Sequence, residues 1–167
     1  MVYWKQGWTD VSAHLLKHGK GSYMNILFLL IPKATCAYVR EEDTIRQALE
    51  RMSASGFTAV PILARDGTYR GTLTEGDLLW AVKDLYLMDM KEAEKHSIME
   101  IRHRRDNIAV SVNTRVEDLL STAVDQNFVP VVDDRHTFIG IITRRAIMQY
   151  CMEQYFPRKG DAQESTE

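Results

Sequence analysis

The chain repeats itself at a fixed interval. Val60-Pro61-Ile62-Leu63, a polar turn and Gly71-Thr72-Leu73-Thr74 make one apolar–turn–apolar unit. Val129-Pro130-Val131-Val132, a polar turn and Gly140-Ile141-Ile142-Thr143 make a second. Pro61 and Pro130, Gly71 and Gly140, and Thr74 and Thr143 all stand 69 residues apart. A duplication of this kind restricts the fold to two like units, and neither carries enough apolar face to close a core alone. The halves must pack on each other.

Each unit reads as a β-hairpin. The connecting stretches Arg65-Asp66-Gly67-Thr68 and Asp133-Asp134-Arg135-His136 hold residues suited to tight turns. The leading proline fits a strand start, where its missing N–H costs no ladder bond. Ahead of each hairpin comes a helical pattern: Ile45, Ala48, Leu49 and Met52 at i, i+3, i+4 and i+7, matched by Val116, Leu119, Leu120 and Ala123. Thr44 and Thr114 flank these starts as caps or as cap neighbours. Ile45 and Val116 are 71 apart, so the second helix-to-hairpin stretch is two residues shorter. Further helices follow from about Glu75 and Arg144. Ala37-Tyr38-Val39 and Ala109-Val110-Ser111-Val112 read as the strands that open each unit, and a charged joint lies at 84–94.

The expected class is α+β, with two pseudo-symmetric β-α-β-β-α repeats packed through their sheets. The divisions are an N-terminal extension at 1–23, a first repeat with linker at 24–95, a second repeat at 96–153 and a polar tail at 154–167. Residues 1–23 hold two of the three tryptophans. A tag, an upstream extension and a small capping helix all fit them.

Composition excludes little. Of 167 residues, 45% are apolar and 26% charged, a globular balance. A formal charge of −2 gives no general attraction to nucleic acid or to an anionic membrane, so any anion site must be local. Cys36 and Cys151 form no close pair, which fits free thiols in a reducing, cytoplasmic setting. The apolar run 26–31 resembles a weak export signal, but it is too short for one, and Pro32-Lys33 breaks it. It reads better as an apolar arm on the body.

Thr74-Glu75-Gly76-Asp77 sits where the first hairpin meets its following helix. Thr-x-x-Asp is close to a capping box. A helix N-terminus also offers free N–H groups to a phosphate, and an Asp beside it can accept from ribose hydroxyls. The two roles are compatible. The second repeat keeps Thr143 but has Ala146 in place of the Asp, with Arg144-Arg145 in place of Glu75-Gly76. It loses a ribose acceptor and gains two cations, and arginine suits bidentate phosphate contact.

The set "GFTAVPIL" at 56–63, "GTLTEGDLLW" at 71–80, "NFVPVVDD" at 127–134 and "GIITRRAIMQY" at 140–150 resembles a tandem pair of cystathionine-β-synthase (CBS) domains, a Bateman module. The resemblance covers about 24–153. It implies two clefts between pseudo-symmetric lobes, where adenine nucleotides commonly bind, and association into a homodimer. It implies ribose and phosphate roles for Thr74 and Asp77, and it points to Ala37, Tyr38, Thr58 and Ala59 for the adenine. One full nucleotide site is expected, centred on Thr74 and Asp77. The other cleft, with Thr143, Arg144 and Arg145, would be degenerate or adapted to grip phosphate, or either Arg would reach a phosphate held by the first repeat. Lys33 would add a further phosphate contact. The expected function is a regulatory sensor of an adenosine-containing nucleotide (AMP, ADP, ATP or cyclic di-AMP) that signals to an effector protein. No cofactor is required, and no nucleic-acid or membrane partner is expected. The rival is a structural dimer that keeps the fold and binds nothing.

No enzyme motif is present. Gly19-Lys20-Gly21-Ser22 lacks P-loop spacing, and His14 with His18 lacks a third metal ligand. The basic cluster 102–105 reads as a solvated loop.

Overall fold

The structure, a computed structural model, describes residues 25–84, 90–103 and 107–155. His14, His18 and the 19–22 glycine stretch lie outside them, as do Arg104, Arg105 and most of the C-terminal tail.

Two small sheets form. In the first lobe β2 (Val39–Arg40) runs parallel to β3 (Ala59–Leu63), which pairs antiparallel with β4 (Tyr69–Thr74). In the second lobe the order is β1-β7-β6-β5. There β5 (Val110–Ser111) runs parallel to β6 (Phe128–Val132), and β7 (Phe138–Thr143) pairs antiparallel with β6. The extra strand, β1 (Ile31–Pro32), lies along β7. Helices α1 (Ile45–Ser55) and α2 (Glu75–Asp84) belong to the first lobe. A short α3 (Met90–Ala93) packs against α1. Helices α4 (Val116–Asp125) and α5 (Arg144–Tyr155) belong to the second lobe.

The helical periodicity is buried as its spacing requires: Ile45, Ala48 and Met52 in one core, Val116, Leu119 and Ala123 in the other. Thr44 is the cap of α1, with Gln47 reaching back in a full capping box. Thr114 is not a cap. Arg115 occupies that position in α4 and makes no side-chain cap bond. The prolines are not strand starts either. Pro61 and Pro130 sit mid-strand, opposite Thr72 and Ile141. This is tolerated because the parallel partners begin pairing one residue later, at Ile62 and Val131, so no rung is lost on that side. The strands that open each unit are two residues long, shorter than the sequence implied.

The lobes meet through their hairpin turns about a pseudo-twofold axis. Thr68 bridges Thr137, its own repeat equivalent. The N–H of Phe138 donates to the Gly67 carbonyl (2.9 Å), and the equivalent N–H of Tyr69 donates to the His136 carbonyl (3.5 Å). The rings of Tyr69 and Phe138, also equivalent, stack at 6.2 Å. Gly67 and His136 are both left-handed, with φ of 89° and 61°.

The lobes also trade segments. A 3₁₀ turn at Ile26–Leu29, capped by Asn25, sends Ile26 into the second lobe's core. Its counterpart at Ile98–Glu100, capped by Ser97, sends Ile98 into the first lobe's core. The bridges Asn25–Arg115 and Thr44–Ser97 fasten the two exchanged pieces in matching ways. The arm expected from the apolar run therefore packs on the far half of the chain. Gly140 is what lets it lie flat: a Cβ there would stand 2.2 Å from the Ile31 carbonyl oxygen.

Candidate functional site

Both outer helices start in the same way. The N–H of Glu75 donates to the Thr58 carbonyl and that of Arg144 to the Asn127 carbonyl, each at 3.0 Å. The Thr74 hydroxyl accepts from the Asp77 N–H at 3.1 Å, and that of Thr143 from the Ala146 N–H at 3.2 Å. Beyond this the repeats part. Asp77 Oδ2 accepts from the Thr74 N–H at 3.0 Å and from the Thr74 hydroxyl at 2.7 Å, and the residue is 1% exposed. The carboxylate is turned into the fold as a reciprocal cap. In the second repeat Ala146 leaves the Thr143 hydroxyl hydrogen uncommitted to any acceptor of that kind.

Between the lobes lies a cavity of about 220 Å³ that brings together Ala37, Thr58, Ala59 and Thr143. Thr74 and Asp77 do not line it. The sequence had not singled out Ile31, Cys36, Pro61, Asn127, Phe128 or Ile141, which line it too. Pro61, Asn127 and Phe128 were legible in the repeated motifs, since a dyad turns equivalent residues toward one another. Ile31 and Cys36 gave no such signal, because they reach the cavity only through the exchanged arm. The walls are mostly apolar with a few polar groups, the usual make-up of a small-molecule pocket. Burial pushes the Cys36 thiol up, and its Sγ donates to the Ile31 carbonyl at 3.4 Å. The thiol forms part of the cavity wall.

The remaining candidates divide. Lys33 and Tyr38 face a neighbouring cavity of about 120 Å³ with Arg40 and Arg65, the Lys33 ammonium lying 5.9 Å from the Tyr38 ring centre. Arg144 does not pair with Asp133 or Asp134. Its Nε donates to the Gln126 carbonyl at 2.9 Å and its Nη2 to Asn127 Oδ1 at 3.2 Å, which holds a cavity-lining side chain in place. Arg145, one residue on, is exposed.

The side related to this cavity by the dyad is built from other residues. Phe128 takes the place of Ala59, and Ile108 that of Ala37. The buried Gln126 accepts from the Ile108 N–H at 2.7 Å and donates to the Ile108 and Phe128 carbonyls at 3.2 and 3.3 Å. Asn107 Nδ2 donates to the Phe128 carbonyl, and the Tyr69 hydroxyl to the Asn107 carbonyl, both at 2.8 Å. Here the side-chain amides of Asn107 and Gln126 bond to backbone groups. Among the described residues no group of acidic, His and Cys side chains could hold a metal ion, and no helix is long and apolar enough to cross a membrane.

Two lobes of one topology, dyad-related and with a cleft between them, define a tandem repeat module. The CBS-domain profile matches residues 31–84 and 98–153, and the chain belongs to the CBS-domain family. It is 24% identical over 140 residues to cyclic di-AMP receptor B of Bacillus subtilis (strain 168), covering 83% of this chain and 89% of that protein. Among solved structures, a CbpB in complex with cyclic di-AMP superimposes with a TM-score of 0.69 at 19% identity, covering 88% of this chain and 93% of that one. CBSX2 in complex with AMP gives a TM-score of 0.60 at 20% identity, covering 77% and 96%.

Proposed function

We propose that this protein is a regulatory module that binds an adenosine-containing nucleotide in the inter-lobe cavity and passes the signal to a partner protein. The observation that carries this reading is the convergence of Ala37, Thr58, Ala59 and Thr143 on one apolar-walled cavity at the start of α5. At about 220 Å³ it is smaller than the roughly 300–1,000 Å³ of pockets for drug-sized ligands. A purine ring enters; the ribose and phosphates lie at the mouth. The small side chains of Ala37 and Ala59 leave room for the ring's faces. Thr143, whose oxygen accepts from the Ala146 N–H, keeps its hydrogen to donate to a ligand oxygen. Arg145 supplies charge for a phosphate at a helix N-terminus, where the helix dipole adds to it. The likeness to a cyclic di-AMP receptor and to an AMP-bound protein supports an adenine ligand of one or two nucleotide units. Association as a homodimer is supported by Leu79 and Met148, repeat-equivalent positions on α2 and α5 that are 67% and 41% exposed.

The test is calorimetric titration with AMP, ADP, ATP and cyclic di-AMP, with cyclic di-GMP as control, on the natural protein and on Ala59→Leu. One adenosine ligand should bind, and Ala59→Leu should weaken it at least tenfold. At 100 times its dissociation constant that ligand adds about 2.7 kcal/mol, or roughly 5–10 °C in melting temperature. Undiminished binding by Ala59→Leu would move the site elsewhere. If no adenosine ligand binds the natural protein, the scaffold reading stands instead.

A further inference from the structure

Arg144 opens α5, at the helix end where the dipole is least favourable to a cation. The first turn, Arg144-Arg145-Ala146-Ile147, carries no acidic side chain to offset it. The contacts of Arg144 account for its placement. Its N–H donates to the Asn127 carbonyl at 3.0 Å, its Nε to the Gln126 carbonyl at 2.9 Å and its Nη2 to Asn127 Oδ1 at 3.2 Å. Three bonds thus run from one residue to one dipeptide. The Gln126 side chain fastens the same dipeptide again, through the Ile108 N–H and carbonyl and the Phe128 carbonyl. Asn127 is held on rigid backbone, as a residue that must present one group in one direction requires.

The chemistry of the donor decides how the Asn127 amide is turned. A guanidinium has N–H donors and no acceptor, so the amide atom facing it is the oxygen. Nδ2 and its two hydrogens are left as the polar end of a residue that lines the inter-lobe cavity, and Nδ2 has no acceptor among the described residues. The repeat equivalents of Asn127 and Arg144 are Thr58 and Glu75. There the backbone bond is kept, but no side-chain bond joins the pair among the described residues. Thr58, which lines the cavity too, keeps a hydroxyl that can rotate to donate or to accept. The first lobe therefore gives the cavity an adaptable polar group, and the second gives it a fixed donor. A fixed N–H₂ suits the ring nitrogens of a purine, which are acceptors. It does not suit the exocyclic amine of adenine, which is itself a donor.

Resting on the nucleotide-binding reading of this cavity, we propose that Asn127 is a specificity-determining residue whose Nδ2 donates to a ring nitrogen of the bound purine. Arg144 is a positioning residue: it takes up the amide oxygen and so keeps the nitrogen toward the ligand.

The test is calorimetric titration of the natural protein, Asn127→Leu and Arg144→Met. The probe is whichever of AMP, ADP, ATP and cyclic di-AMP binds most tightly, together with its 1-deaza, 3-deaza and 7-deaza forms. In the natural protein at least one deaza form should bind about tenfold more weakly than its parent, the loss expected when a hydrogen-bonding group is left unpaired. Asn127→Leu should bind that deaza form and the parent equally. Arg144→Met should bring the ratio most of the way to unity, because the freed amide can turn its oxygen to the ligand. A purely structural role for either side chain would lower both affinities together and leave the ratio unchanged, and that result would overturn the proposal. So would a natural protein indifferent to all three deaza forms. An Arg144→Met protein with weaker binding but an undiminished ratio would make Arg144 a phosphate contact and not a positioning residue. Binding of none of the four parent nucleotides to the natural protein would overturn the nucleotide reading itself, and this inference with it.

Discussion

The two helix-to-hairpin joints are the most instructive contrast in the molecule. In the first lobe α1 ends at Gly56 in the left-handed conformation, φ 70°, which returns its N–H to the Met52 carbonyl. Three residues, Gly56 included, lead from the helix into β3. In the second lobe α4 is one residue shorter, only two residues lead into β6, and Gln126 ends the helix in extended conformation, φ −119°. The missing pair is thus shared between helix and loop. With no glycine turn there, the Gln126 side chain is drawn inward and ties the 107–108 strand approach to Phe128. One joint leaves small residues facing a cavity; the other stitches its own side together. Identical topology does not give identical clefts.

The largest effect expected from attacking this asymmetry is at Gly140. A side chain there meets backbone on the exchanged arm, which no rotamer can relieve, so Gly140→Ala should unpair β1 from β7 and cost about 2–4 kcal/mol in urea denaturation. A loss below 1 kcal/mol would mean that the arm is not held as described. Asp77 sharpens the comparison of the helix starts. Asp77→Ala removes half of a reciprocal cap and should cost about 0.5–2 kcal/mol, whereas Ala146→Asp, which completes the second cap, should gain up to about 1 kcal/mol. Calorimetry on Asp77→Ala also separates two roles. Unchanged ligand affinity leaves a cap alone; a tenfold loss makes the carboxylate turn outward to a ribose on binding.

The smallest effect belongs to the turns at the dyad. The Thr68 N–H holds the Asp66 carboxyl below its ordinary value, and the Thr137 and Arg135 N–H groups hold that of Asp133 down likewise. A depressed folded pKa stabilises fully above the unfolded value, near 3.9, and that stability is lost as pH falls through the folded one. Acid melts below about pH 4 should therefore show a shallow loss that Asp66→Asn with Asp133→Asn flattens. An unchanged acid limb in the double variant would assign the loss to other carboxylates.

Much of this was legible before any coordinates. The 69-residue interval gave both hairpins, and apolar spacing gave the buried faces of α1 and α4. The helix starts at Glu75 and Arg144 agreed to the residue. Thr-x-x-Asp was legible as a cap, but not the direction in which its carboxylate points, because side-chain orientation is settled by burial and not by spacing. Local pattern could not place Ile26 in the far lobe, since an apolar run states that it will be buried and not where. Nor could it separate Thr114 from Arg115, where no side-chain bond marks the helix start. The cavity was half readable: Thr58, Ala59 and Thr143 lie on repeated motifs, whereas Ile31 and Cys36 depend on a chain crossing that leaves no local mark.

The traded turns have a consequence for how this molecule can be divided. Residues 25–84 contain the body of one lobe and a plug for the other; residues 90–155 contain the reverse. This is the geometry of two subunits that have swapped their leading segments, here written into a single polypeptide. Boundaries drawn along the chain therefore do not coincide with boundaries in space. A substitution at Ile26 is inherited with the first half, but the hole it leaves opens in the second.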